Sequence, residues 1–308
     1  MAYFRFLVCS VILVLFCAAA ALAQTGQPSI MIVSGNGLLV QSAFPTPFSD
    51  QPDALRVMVT DANGNPVNNA RVDWAVSVTS GSGLGNVNPT TFTDQNGKSA
   101  SVFVGPQIFG QSFVQSVITA TATVGSFTPN VSFTITTFGV GTLASLVGVS
   151  IQDPLLPAPV SRFTGAAGQP GMPILVRVAG QISGAQVGQG VPNVVVRIVP
   201  LDPAAGPSIS CAGGNQFTDG SGNASCTPVF SGKVGTGTFV LNVGGLQDFI
   251  IPFAVTVGPP GIIRATSGDM QTANAGASLP VTLTAVITDL GGNPLSSIAV
   301  VFEPVVGA

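Results

Sequence analysis

The sequence contains no histidine. A Ser-His-Asp triad, a Cys-His pair, an imidazole metal ligand and a charge switch near neutral pH are therefore excluded. Charge of either sign is scarce. Lys+Arg number 9 and Asp+Glu 12 in 308 residues, or 7%, against roughly 25% in a typical soluble domain. The lysines are Lys98 and Lys233, and Glu303 is the single glutamate. A glycosidase built on paired glutamates is excluded, whereas aspartate pairs stay open. With a net charge of −3 and scattered cations, the chain has no basic patch for nucleic acid.

Turn and strand material is abundant instead. Glycine numbers 38 and proline 24, and the hydrophobic fraction of 46% is enough for a core. Few charges with many Gly, Pro, Thr, Ser and Val predict a turn-rich β-protein.

Residues 1–23 read as an export signal. Arg5 precedes an apolar run from Phe6 to Leu22, broken only by Ser10, and Ala21-Leu22-Ala23 stands before Gln24. A short positive region, an apolar core and small residues ahead of the cut are the signal-peptide pattern. The alternative is an uncleaved anchor. The run is short for a span, so cleavage between Ala23 and Gln24 is expected. Phe16 occupies the place where a lipoprotein site before Cys17 needs a small residue, which argues against lipidation. Cleavage removes Cys9 and Cys17 and leaves Cys211 and Cys226. In the oxidising surroundings of an exported chain, these two are expected to form a disulfide. No C-x-x-C, helix signal or adjacent cation supports a reactive thiol pair.

The remaining chain repeats itself. Leu55-Arg56-Val57-Met58-Val59-Thr60-Asp61-Ala62-Asn63-Gly64-Asn65-Pro66-Val67 returns as Leu283-Thr284-Ala285-Val286-Ile287-Thr288-Asp289-Leu290-Gly291-Gly292-Asn293-Pro294-Leu295. The same register lays Val72 and Trp74 over Val300 and Phe302, predicting a strand there. A middle copy is weaker. Asn69-Ala70-Arg71-Val72 matches Asn193-Val194-Val195-Val196, and Thr93-Asp94-Gln95-Asn96-Gly97 matches Thr218-Asp219-Gly220-Ser221-Gly222. Ile174 to Val178 stands where Leu55 to Val59 stands, followed by a Gly/Gln-rich stretch, Ala179 to Gly190, expected to be a long loop. Within the copies the period is two. Leu55, Val57 and Val59, then Val72, Trp74 and Val76, then Ile118, Ala120 and Ala122, then Val131, Phe133 and Ile135, alternate with polar or outward residues. Such alternation means strands with one buried and one wet face. Several short strands per copy, separated by turns, predict an immunoglobulin-like sandwich.

These residues resemble the bacterial immunoglobulin-like domain, group 1, the repeat of invasin- and intimin-type surface proteins. The resemblance is carried by Val57 to Val67, by the Val72-to-Trp74 strand, by Gly81-Ser82-Gly83 and by Thr93 to Gly97 before Ala100. It covers the first copy almost throughout, the third as far as it goes, and the second in pieces. It implies extracellular β-sandwich modules strung as stalks, often in adhesins. The chain departs from invasin and intimin in showing neither amphipathic barrel strands before the repeats nor a terminal lectin-like domain. The expected organisation is all-β, with tandem immunoglobulin-like β-sandwiches after the signal peptide. Domain 1 spans 24–139, domain 2 spans 140–259, and an incomplete domain 3 spans 260–308, read as a fragment of a longer protein.

Candidate sites compete with turn and core chemistry. Asp61 to Asn65 faintly resembles a calcium loop, but Pro66 and Val72 stand where an EF-hand needs Gly and Glu. A looser calcium site using Asp61 or Asp94 is weighed against plain turns, and the turns are favoured. Trp74 shares the parity of Val72 and Val76, so it is expected in the core rather than as a sugar platform. The Asn130-Val131-Ser132 and Asn223-Ala224-Ser225 sequons carry no expected role. No catalytic, cofactor or metal residues are assigned. The expected function is a non-catalytic secreted or cell-surface stalk or adhesin-like module. Its partner would be an unknown protein or glycan surface, with no nucleic acid and no small-molecule substrate. The membrane enters only through export or an unseen anchor. The alternative is an accessory or carbohydrate-binding module of a longer secreted enzyme.

Overall fold

A computed structural model of the chain describes residues 26–48, 51, 53–80, 83–108, 113–139, 163–180, 188–201 and 206–303. The expected signal peptide and the Ala23–Gln24 cleavage point lie outside the described residues. Every regular element among them is a β-strand, and none is a helix long and apolar enough to cross a membrane.

The N-terminal strands are β1 (Ser29–Ser34), β2 (Leu39–Gln41), β3 (Leu55–Thr60), β4 (Arg71–Ser80), β5 (Asn86–Val87), β6 (Thr90–Phe92), β7 (Lys98–Ser101), β8 (Phe103–Val104), β9 (Phe113–Thr123) and β10 (Asn130–Phe138). One sheet has the order β1-β3-β7, the other β2-β10-β9-β4-β6, with β5-β8 as a short separate ladder. Pairing is antiparallel except for β2, which runs parallel to β10. Alternation explains the layers. Leu55, Val57 and Val59 from one sheet meet Val72, Trp74, Ile118, Ala120, Ala122, Phe133 and Ile135 from the other in one core. Trp74 is buried there, 5.8 Å from the Phe133 ring centroid. Its indole N–H donates to Thr91 Oγ1 at 2.8 Å, which meets the polar need of a buried tryptophan.

The central strands are β11 (Phe163–Ala166), β12 (Ile174–Arg177), β13 (Val195–Pro200), β14 (Ile209–Cys211), β15 (Gln216–Phe217), β16 (Asn223–Cys226), β17 (Pro228–Phe230), β18 (Gly235–Val243) and β19 (Gln247–Thr256). Their sheet β11-β19-β18-β13-β15 repeats the N-terminal order β2-β10-β9-β4-β6 strand for strand, again with a parallel first pair. β12 pairs with β16 as β3 pairs with β7, and β14 with β17 as β5 with β8. The expected loop from Ala179 to Gly190 is closed at its neck by an Ala179–Gly190 bridge; its residues 181–187 lie outside the described residues.

The C-terminal hairpin, β20 (Ile262–Ser267) and β21 (Thr284–Thr288), repeats β1 and β3, down to a register shift near the end of the ladder. The Thr60–Pro66 bridge likewise returns as Thr288–Pro294. One expectation fails here. Val300 and Phe302 form no strand, and Phe302 is exposed. β4 is held in place by ladders to β9 and β6. Residues 298–303 have no such neighbours among the described residues, so alternation alone does not make them a strand.

The same threonine stands at the same place in both sheet groups. Thr93 Oγ1 accepts from the Ala70 N–H at 2.7 Å and donates to the Val67 carbonyl at 2.6 Å. Thr218 Oγ1 accepts from the Val194 N–H at 2.9 Å and donates to the Val191 carbonyl at 2.7 Å. The residue before each bracketed N–H is an asparagine in the left-handed region, Asn69 at φ 57 and Asn193 at φ 59. Asparagine tolerates that region better than other residues bearing a side chain. Replacing either threonine by valine keeps the shape but strips two buried backbone groups of partners. Thr93→Val and Thr218→Val are each expected to cost about 2–4 kcal/mol in urea unfolding followed by circular dichroism. A loss below about 0.5 kcal/mol for either would show that the bracket holds nothing together.

Candidate functional site

Two places in the chain combine strict geometry with exposure: the junction between the N-terminal and central sheets, and the seat of the C-terminal hairpin. At the first, alternation breaks down. Along the start of β9, Phe113, Val114, Gln115 and Ser116 are all buried, as are Thr136, Thr137 and Phe138 at the end of β10. Inward parity belongs to Val114, Ser116 and Thr137. Phe113, Phe138 and Leu39 point the other way and join the core of the central sheets. The outer face of one sheet is thus an inner face of the junction.

Backbone and polar contacts fix this junction. The Val195 N–H donates to the Gly37 carbonyl at 2.9 Å, and the Leu39 N–H to the Gly244 carbonyl at 2.8 Å. Gln115 Nε2 reaches the Pro192 carbonyl at 2.7 Å. Gly37 has φ 75, and a Cβ there would lie 2.7 Å from Val195 N, so both its conformation and the close approach require glycine. Arg197 Nη2 lies 2.5 Å from the Asp53 carboxylate, and both side chains are mostly shielded. Beside them opens a groove of about 280 Å³ between β2, residues 44–48 and Gln51, and the β18–β19 turn. Leu39, Phe44, Phe48, Gln51, Gly244 and Leu246 line it. Phe44 and Phe48 are 55% and 57% exposed, which makes this an apolar recess open to solvent.

The second place is the turn after β21. Asp289 is buried against the central sheets, where its Oδ2 accepts from the Gly258 N–H at 2.9 Å. Asn293 Nδ2 donates to the Gly232 carbonyl at 2.5 Å. Loss of solvent is the largest single influence on the Asp289 carboxyl and favours its neutral form. The Gly258 N–H, the Asn293 amide and backbone and the Gly291 N–H together outweigh it, and hold its pKa below the ordinary aspartate value.

The residues singled out from the sequence fall as follows. Cys211 and Cys226 are joined in a disulfide with Cα atoms 5.3 Å apart, both buried in the central core. A closed loop of this length contributes on the order of 3 kcal/mol in the chain-entropy model. Asp61 Oδ1 accepts from the Asn63 and Asn65 N–H groups, and Asp94 Oδ1 from those of Asn96 and Lys98. Both carboxylates serve their own turns. Bonds from the Asn65 backbone and amide hold the Asp61 carboxyl below its usual range. Among the described residues, no three Cys, Asp or Glu side chains converge as metal ligands. The junction was not anticipated. Its signal was one phenylalanine on the polar parity in each of two neighbouring strands, Phe113 and Phe138.

No family model matches the sequence, and the comparison with curated proteins returned no match. Solved structures do match. The D00–D0 domain of intimin is 16% identical over 74% of this chain and 99% of that one, with a TM-score of 0.26. The CupB2 chaperone of Pseudomonas aeruginosa is 9% identical over 73% and 100%, with a TM-score of 0.33. The Escherichia coli adhesin FdeC is 16% identical over 89% and 77%, with a TM-score of 0.28.

Two outcomes follow for these places. A double-mutant cycle on Asp53→Ala and Arg197→Ala is expected to return a coupling of about 1–2 kcal/mol, between the values for exposed and buried pairs. A coupling near zero in denaturant titrations would mean that the pair merely touches. Asp289 has its folded pKa below the unfolded value of about 3.9. The stability it contributes is fully present above that pH and is lost as pH falls through the folded value. Asp289→Asn is therefore expected to be less stable than the native chain at pH 7. The gap should close below about pH 4 in denaturation midpoints taken across the acid range.

Proposed function

We propose that the chain is a non-catalytic, extracytoplasmic stalk or adhesin-like protein. In this reading, residues 24–139 and 140–259 are successive immunoglobulin-like sandwiches, residues 260–308 are part of a third, and residues 1–23 are a cleaved leader. One observation carries it: the strand order, the threonine bracket and the turn bonds recur from the first sheet group to the second. The Asp94 turn, with N–H bonds from Asn96 and Lys98, returns as the Asp219 turn with those from Ser221 and Asn223. A chain that repeats a scaffold and carries few charges is suited to spanning distance. Outward hydroxyls that bond one another, such as Thr119 and Ser132 at 3.1 Å, leave the surface weakly dependent on salt.

Loops at the ends of such units make the contacts. In the first unit those are the segments carrying Phe44 and Phe48 beside the junction groove. The rings offer apolar contact area to a protein or glycan partner. They are also the observation that favours the second reading, an accessory or carbohydrate-binding module of a longer secreted enzyme.

Force spectroscopy tests the stalk. Pulling the exported chain is expected to give two unfolding events of similar size. The second should lengthen by roughly 45–50 Å when the Cys211–Cys226 disulfide, separated by 15 residues, is reduced. A single event for the whole chain would sink the tandem reading. Saturable sugar binding on a glycan array, abolished by Phe44→Ser and Phe48→Ser together, would select the accessory-module reading.

A further inference from the structure

Two turns in the chain share one framework. In the first, the Asp61 N–H donates to the Asn65 carbonyl at 2.8 Å, and the Gly64 N–H to the Asp61 carbonyl at 3.1 Å. In the second, the Asp289 N–H donates to the Asn293 carbonyl at 3.0 Å, and the Gly292 N–H to the Asp289 carbonyl at 3.1 Å. Asn65 and Asn293 return the same N–H bond to the aspartate Oδ1, at 2.9 and 2.8 Å. The middle of both turns is exposed, but Asp61 is half-buried whereas Asp289 is fully buried, and the second turn meets the central unit at Gly232 and Gly258.

The sequences differ at the middle, where Ala62-Asn63 faces Leu290-Gly291. Gly64 and Gly292 have φ near +83 and +85, so the turn itself requires glycine at that position. Gly291 does not lie in the left-handed region, and Asn63 occupies the same place without difficulty. Nothing in its own turn demands glycine at 291. The demand comes from outside. A Cβ at Gly291 would lie 2.5 Å from the Gly232 carbonyl oxygen and 2.6 Å from Gly232 Cα. A Cβ at Gly232 would lie 2.9 Å from Gly291 Cα, and Gly232 is likewise outside the left-handed region. Two backbones touch where neither conformation needs glycine. Around that contact, Asp289 takes the Gly258 N–H, Asn293 gives to the Gly232 carbonyl, and Leu290 lies over Gly168 and Gly261.

We propose that the end of the central sheets formed by Gly168, Gly232 and Gly258 is a seat for an Asp-Leu-Gly-Gly-Asn turn, and that Gly291 determines which turn occupies it. The chain's own C-terminal turn fits. The Asp61 turn, on the same molecule or on a second copy, is refused because the Asn63 side chain would meet Gly232. The order of units is thereby fixed and the joint at Gly258 is stiff. This extends the stalk reading but stands on contacts between two parts of one chain, so it holds or fails separately from that reading.

The test uses the whole chain with Gly291→Asn, which copies the first turn, with Gly232→Ala, which alters only the seat, and with Asn63→Gly as a control. Amide hydrogen exchange and NMR relaxation are read at Gly258 and along β20–β21. Both seat variants are expected to speed Gly258 N–H exchange by about tenfold or more and to let the β20–β21 amides tumble independently. The Asp289–Asn293 turn bond should stay protected, and the control should behave as the native chain. Unchanged Gly258 protection and relaxation in both seat variants overturns the proposal. Should Gly291→Asn unfold the hairpin outright, Gly232→Ala decides alone.

Discussion

The threonine bracket ties opposite sheets to each other, and the layered arrangement depends on it. Val67 is bonded to Val59 at the end of β3, and Ala70 leads into β4 in the facing sheet. Thr93 sits between them and leads through its turn into β7, beside β3. One hydroxyl therefore sets the spacing at which Leu55, Val57 and Val59 meet Val72 and Trp74. Thr218 does the same between Val191 and Val194. A hydroxyl suits this place because it both accepts and donates, and a charged group there would have to be desolvated. The same use of a hydroxyl recurs at Thr91, which stands between the Trp74 indole and Ser99.

Much of this arrangement is legible in the sequence. Alternation along β3 and β4, and over Ile118 to Ala122 and Val131 to Ile135 in β9 and β10, told which residues face the core, because a pleated strand offers two faces and one was apolar. Trp74 followed from its parity alone. The Asn69 and Thr93 motifs were visible as repeats, although their bonding was not: a side chain that reaches across twenty-odd positions to a backbone group leaves no periodic trace. The failure at Val300 and Phe302 has a related cause. Alternation states what a strand would bury, not whether a neighbouring strand is present to bond it.

The junction was the least legible part, and parity explains why. Phe113, Phe138 and Leu39 lie on the face that alternation assigns to solvent. Read one strand at a time, each is an ordinary exposed apolar residue. Only the ladders, which set Phe138 opposite Phe113 and Leu39 opposite Thr136, gather them into a patch. Gly37 is similar: its φ of 75 reads as one more turn, and the Val195 backbone pressed against it is invisible without the fold.

The two joints differ in what accompanies their backbone contacts, and the difference bears on stiffness. To the Val195–Gly37 and Leu39–Gly244 backbone bonds the first adds long side chains: apolar rings, Gln115 on Pro192, and the Arg197–Asp53 pair. Long side chains carry several rotamers, and holding them in one geometry costs entropy. Such a contact loosens gradually as its members find alternatives. The second brings Gly232 against Gly291 with no side chain between, and adds bonds from the short side chains of Asp289 and Asn293, which are already held by each other within the turn. A short link between adjacent strands, such as that carrying Gly232 between β17 and β18, and a tight turn bonded to itself have little further freedom to lose on contact. A joint of that kind gives way abruptly or not at all, because a displacement of a fraction of an ångström removes the hydrogen bonds and the close packing together.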